Sequence, residues 1–365
     1  MSLLRRLRQW LAVTLPQHVS AWLLQSYRRP LGLFLGVVAL PFVLIVGATY
    51  SISVSLWRRQ TSENLRVMAR LGAEILTETL EETLLLEQLV ASRPEFVQAA
   101  LRAEPAELQQ LLEEAARFIR RTNLLMVVSP EGRVLAATPD PDGLAGTSLT
   151  GREPFQAIQR RHWQPAVSGV YLREGPSLEK VVGVGWPLEQ DGRVVGLLLV
   201  EQRIETIKSW LQKIRVEPEG FLYVVDQHDR LVVFPYQTVP GRPLVVSRWP
   251  PVAFPAGEEG GALMFRSGRP GKRWLAGVYP VGQIGWRVVT VQPEQAALKT
   301  LRGVLAVLGF LILAAVGLVA LVGSQWLRVH AFSLDLLKRN ARIMQRMQQD
   351  RPGGNPLLDD PEPPG

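Results

Sequence analysis

Few residues in this chain could do covalent or metal chemistry. Four histidines and no cysteines occur in 365 residues, which excludes disulfides, thiolate zinc sites and cysteine nucleophiles. His162 and His228 have no partner ligands at metal spacing and read as surface residues. The pair Glu258-Glu259 lies in a Gly-rich loop and reads as solvated. No G-x-S-x-G, Walker loop, His-Glu-x-x-His or Gly-rich dinucleotide loop is present. The chain therefore reads as no enzyme, with no cofactor and no metal site. Trp163, Trp186 and Trp210 read as core or interface, and Trp286 as core. The net charge of +8 points to an anionic partner. A nucleic acid is excluded by the lack of a dense basic run with interleaved aromatics. The arginines flank apolar stretches instead, which points to a membrane.

Two such stretches organise the chain. Leu31 to Trp57 carries no charge and lies between Arg28-Arg29 and Arg58-Arg59. Gly303 to Leu327 lies between Arg302 and Arg328. About 20 apolar residues suffice to cross a bilayer as a helix. The first stretch is longer than the roughly 7–15 residues of a signal-peptide core. It ends in Trp57-Arg58-Arg59 with no small-residue cleavage pattern, so it reads as an uncleaved anchor, and Pro41 is a candidate kink. Two spans put both termini on one side and the segment between them on the other. Lys and Arg counts near the spans are balanced, so charge alone leaves the orientation open. Before the first span, Arg5, Arg6 and Arg8 accompany Leu3, Leu4, Leu7, Trp10 and Leu11 at helical spacing. Both an amphipathic helix on an anionic leaflet and a frayed basic tail fit this pattern.

The intervening segment must position whatever site there is. Leu65, Met68, Leu71, Ile75, Leu76, Leu80, Leu84 and Leu89 mark the apolar face of a long helix, serving as a dimer seam or packed on its own domain. Pro94 and Pro105 open two shorter helices. From Asn123 the period becomes that of strands: Leu124–Ser129, Arg133–Ala137, Val167–Leu172, Val181–Leu188 and Val194–Val200, with helices at Glu153–Arg161 and from Arg203 to about Lys213. Asp191-Gly192 is a hairpin turn. The run from Leu125 to Leu135 then recurs from Leu222 to Val232, and Gly146–Leu149 recurs as Gly241–Leu244. Such a duplication predicts an α+β fold of two stacked modules, each with an antiparallel sheet of about five strands. Beyond Leu327, Leu334, Leu337, Ala341 and Met344 have coiled-coil spacing, and the Pro- and Gly-rich end from Asp350 reads as disordered.

The anchor, the long helix, Leu125 to Pro139, Gly146 to Ile158 (GTSLTGREPFQAI), VSGVYL, VVGVGWPLEQDGRVVGLLLVEQ and GQIGWRVVTVQP follow one another in an order that resembles the double Cache sensory region of bacterial transmembrane receptors. The resemblance covers roughly Leu31 to Leu327. It implies two PAS-like modules outside the cytoplasmic membrane, with both termini in the cytoplasm. On that reading the chain divides into a basic cytoplasmic segment (1–30), a first span (31–57), a long helix with helical cover (58–122), a membrane-distal module (123–216), a membrane-proximal module (217–298), a second span (303–327), a cytoplasmic helix (328–349) and a tail (350–365).

Amino-acid-binding members of the family hold their ligand in the distal module with an Arg, a Trp-Tyr pair two and three positions on, a later Tyr and an Asp. Arg152 matches the Arg and Tyr171 the later Tyr; Pro154 and Phe155 replace the Trp-Tyr pair, and Glu201 stands for the Asp. The resemblance implies that Arg152 grips a carboxylate with its planar fork, that Glu201 holds an ammonium, and that Tyr171 and Phe155 wall the pocket. An Arg tying its loop to the next helix is the structural alternative for Arg152. The implied function is a membrane-anchored, dimeric extracytoplasmic sensor of a small molecule, signalling to a cytoplasmic partner or a missing output domain. The alternative is a structural subunit docking onto another membrane protein through its outer domain.

Overall fold

The computed structural model describes residues 28–119, 123–140, 143–173, 179–235, 241–268, 271–299 and 303–319, with short stretches up to residue 343. Residues 1–27 of the basic N-terminal segment, most of the 328–349 helix and the Pro-rich tail lie outside the described residues. Contacts divide the chain into two units, Val54–Thr300 and a second formed by Met1–Ser53 with Leu301–Gly365.

The longest element is helix α1, Arg28–Ala91. Within the Val54–Thr300 unit its Leu65, Ala69, Ala73, Leu76 and Leu80 recur every three or four residues and are buried in the largest core cluster. The expected apolar face is therefore split. Leu65, Leu76 and Leu80 pack on the protein's own modules, whereas Leu71, Leu85 and Leu89 remain exposed. A helix has room for both, because residues one or two positions apart point to different sides. Helices α2 (Pro94–Arg102) and α3 (Pro105–Phe118) follow, each with proline in the first turn, where its missing N–H costs no helical bond.

The distal module contains β1 (Leu124–Val128), β2 (Val134–Thr138), helix α4 (Glu153–Arg160), β3 (Ala166–Val167), β4 (Tyr171–Leu172), β5 (Lys180–Gln190) and β6 (Arg193–Arg203). Its strand order is β2-β1-β6-β5-β3, with β4 also paired to β5, making six strands rather than five. The expected single strand Val167–Leu172 is broken at Ser168-Gly169-Val170. There the Ser168 hydroxyl takes the Gly183 N–H at 2.8 Å, and the Val170 N–H leaves the ladder for the Asp226 carboxylate at 2.9 Å. Asp191 and Gly192 both have positive φ, 51° and 75°, as the β5–β6 hairpin requires.

Helix α5 (Ile204–Leu211) leads to the proximal module: β7 (Phe221–Val225), β8 (Leu231–Val233), the short helix α6 (Pro250–Ala253), β9 (Gly261–Ser267), β10 (Lys272–Val281) and β11 (Trp286–Pro293), then α7 (Glu294–Ala297). Its sheet has the order β8-β7-β11-β10-β9. The duplication is reproduced in detail. Both modules carry a bulge at the same place, Val127/Val128 and Val224/Val225. Both carry the same isolated bridge, Arg133 to Ser148 and Arg230 to Val245. That register corrects the sequence alignment of the loops by two residues. Buried Leu149 is equivalent to buried Val246, not to Leu244, which is exposed. It also sets Arg152 equivalent to Trp249 and Phe155 to Val252.

In the other unit, among the described residues one helix is long and apolar enough to cross a membrane by length and composition. It is Gly303–Gly323, with mean hydropathy 3.0 and no part of it buried. The stretch Leu31–Trp57 lies within α1, where Leu40, Val43, Leu44 and Ile45 are exposed.

Candidate functional site

Arg152 is the N-cap residue of α4, in extended backbone at φ −96° and ψ 148°. Its N–H donates to the Leu149 carbonyl, and its own carbonyl accepts from Gln156, so the backbone at this position is fixed from both sides. Tyr171 lies on β4 and Glu201 on β6, the two strands flanking β5. Both side chains are buried. The Tyr171 hydroxyl donates to Glu201 Oε1 at 2.5 Å. Burial pushes the Glu201 carboxyl up from its usual range, against the opposing pull of that hydrogen bond and of the Arg173 and Arg152 charges. Burial likewise pushes the Tyr171 phenol well up, with Glu201 acting in the same sense. The Arg152 charge thus acts on both members of the Tyr171–Glu201 pair.

Phe155 is placed differently from the other three. It is 1% exposed, lies in the core between α4 and the sheet, and meets Trp163 edge-on at 5.7 Å.

Sequence reasoning missed Arg173. Its Nη1 faces Glu201 Oε2 at 3.6 Å, and its Nη2 binds Glu179 at 2.7 Å. Glu179 in turn takes Arg203 Nε at 2.8 Å. Arg173 thus stands beside Glu201 together with Tyr171. The signal was legible, since alternation along an extended chain puts Arg173 on the same side as Tyr171, and Arg203 on the same side as Glu201.

The cluster adjoins the proximal module directly. Glu153, the residue after Arg152, faces Arg230 Nη1 at 3.5 Å and His228 Nδ1 at 3.7 Å. Val170, the residue before Tyr171, gives its N–H to Asp226, and its carbonyl accepts from Arg230 at 3.3 Å. Asp226 is fully buried, and its other oxygen accepts the N–H groups of His228 and Arg230 at 2.8 Å each. Burial raises its pKa, and those backbone donors hold it down. Gly169 permits this approach, because a Cβ there would stand 2.5 Å from Asp226 Oδ2. His228 is at the surface as expected, yet it belongs to this seam. His162 and the Glu258-Glu259 pair are exposed, and Trp286 is core with its indole N–H on Gln227.

Two modules of antiparallel sheet thus lie against a long helix, with a polar cluster in the first of them. The chain belongs to the Cache domain family, whose model matches residues 53–301, more than half of its length. The fold is similar to the ligand-binding domain of the Pseudomonas aeruginosa PAO1 amino acid chemoreceptor PctB in complex with L-Gln (TM-score 0.51, 18% identity, covering 64% of this chain and 92% of that one). It is also similar to the ligand-binding domain of the Pseudomonas fluorescens chemoreceptor CtaA in complex with L-isoleucine (TM-score 0.51, 16% identity, covering 67% and 98%). No curated protein sequence matches.

Proposed function

We propose that this protein senses a small carboxylate outside the cytoplasm through Arg152 and relays its occupancy across the membrane. The observation that carries the reading is the buried Tyr171–Glu201 pair, on which the Arg152 charge acts. Arg152 supplies the fork for a carboxylate and Tyr171 orients it. Because Arg173 already faces Glu201, the ligand brings an acid and needs no amine. PctB and CtaA are described with amino acids, which carry both groups.

The relay follows the contacts between modules. A ligand on Arg152 and Tyr171 pulls on the adjoining Glu153 and Val170, and these are held by Arg230 and Asp226 of the proximal module. Strand β11 carries that movement to α7, where Glu294 pairs with Arg58 of α1 at 2.7 Å. Two spans, 31–57 and 303–327, then pass it to a cytoplasmic partner or output domain, with both termini inside. Leu71, Leu85 and Leu89 are the exposed seam for a parallel dimer. Such a relay needs a ligand that prefers one state by about 1–3 kcal/mol.

The test is a thermal-shift screen of the segment Arg58–Arg302 against small metabolites, repeated with Arg152→Ala. Carboxylates should raise the melting temperature of the native segment and leave that of Arg152→Ala unchanged. An Arg152→Ala protein that melts earlier without ligand, and still binds, would show the arginine to be structural.

A further inference from the structure

The module duplication leaves a second concave site that the sensor reading does not use. In the proximal module a cavity of about 180 Å³ lies against Phe221, Tyr223, Phe234, Trp249, Phe265 and Trp274. Trp249 is the N-cap residue of α6 and occupies the register position that Arg152 holds in the distal module, as N-cap of α4. The same place in the fold thus carries a guanidinium in one copy and an indole in the other.

The rings around this cavity are not closed into a solid core. Phe221, Phe234, Trp249, Phe265 and Trp274 each keep part of their surface open. Tyr223 meets Trp249 edge-on at 5.5 Å, and Phe234 meets Trp249 at 6.1 Å, so the frame is held in place by its own aromatic contacts. Tyr223 is 2% exposed, lines the cavity, and makes no hydrogen bond through its hydroxyl among the described residues. Its hydroxyl is not among the sealed, unpartnered polar atoms of the described residues, so it is reachable from the cavity and can take a partner there. The residues lining the cavity include no charged side chain. The charge that acts on Tyr223 is the positive one of Arg287.

We propose that the proximal module binds a small uncharged aromatic compound, of one ring with one hydrogen-bonding substituent, in the cage headed by Trp249 and Tyr223. Size and polarity both select this class. An apolar cavity of about 150 Å³ is known to take up benzene, and this one is slightly larger. A carboxylate would find no arginine among the lining residues. A quaternary ammonium, the usual guest of aromatic cages, would leave the Tyr223 hydroxyl unpaired. The site is separate from the Arg152 cluster, so either can fail alone.

Phenol is the probe, titrated by calorimetry into the full chain in lipid nanodiscs, with empty nanodiscs subtracted and choline as the counter-probe. Phenol should bind saturably, with a single phenol per chain, and choline should not. Trp249→Ala should weaken phenol by at least about tenfold, which is 1.4 kcal/mol. Because that change could also loosen the module, Ser267→Phe is the second variant. Ser267 lines the cavity from an exposed position on the edge strand β9, so the added ring fills the cage without entering the core. It should abolish phenol binding at an unchanged melting temperature. Arg152→Ala should leave phenol affinity as it was. Absence of saturable phenol binding, or affinity unaltered in both cage variants, overturns the proposal. Choline binding in place of phenol overturns the ligand class.

Discussion

Replacing Arg173 by Met tests the finding that the chain supplies its own cation to Glu201. Both side chains are almost inaccessible, at 6% and 4%, so solvent screens the pair little. Removing one partner of a buried pair leaves an uncompensated charge and costs about 3–5 kcal/mol. For a folded unit of this size, each kcal/mol shifts the melting temperature by about 2–4 °C, so the loss is about 6–20 °C. Glu201→Gln in the same background removes the stranded charge and keeps an acceptor for the Tyr171 hydroxyl. It should recover most of the loss. The assay is urea unfolding of the four proteins of the double-mutant cycle, read by tryptophan fluorescence. A loss below about 1 kcal/mol, the range of exposed pairs, or no recovery in the double variant would refute the reasoning.

Three further outcomes follow from the same packing. Glu87 is fully buried on α1 and burial holds its pKa well above the usual value, so the folded state binds the proton more tightly. Its stabilising effect is complete below the unfolded pKa of about 4.3 and is lost as pH rises through the folded value. Glu87→Gln should therefore raise the melting temperature at pH 8, leave it alone at pH 4 and flatten the profile between; an unchanged profile contradicts this. At Gly277 a Cβ would overlap the backbone of Leu65 and Arg66, where α1 lies against β10 and the Thr290 hydroxyl caps the Leu65 carbonyl at 2.7 Å. Gly277→Ala should cost about 1–3 kcal/mol in urea unfolding, and a neutral result would mean that α1 can step back. Leu85→Lys with Leu89→Lys should reduce cross-linked dimer in membranes without changing the melting temperature. Leu80→Lys should unfold the protein, because Leu80 is core.

Much of the fold was legible because its signals are local. Period changes at Asn123, the Asp191-Gly192 turn and the recurrence of Leu125–Leu135 at Leu222–Val232 each rest on neighbouring residues, and the structure reproduces them. The break in the Val167–Leu172 strand was not legible. It arises from Asp226, distant in sequence, drawing the Val170 N–H out of the ladder. The splitting of the α1 face had the same origin: Leu71 and Leu76 are chemically alike, and only the placement of the two sheets buries one and exposes the other. At the site, family resemblance singled out Arg152, Tyr171 and Glu201. Arg173, a residue outside the compared motif, faces Glu201 as well.

The central claim is that the distal module binds a small acid through Arg152. It is tested most directly by measuring the affinity of a carboxylate found in the screen for the native protein and for Arg152→Ala, at matched folding. The account predicts that the substitution removes a charge-assisted contact contributing about 1.5–3 kcal/mol, a weakening of roughly 10- to 150-fold. Equal affinity in the two proteins would contradict it.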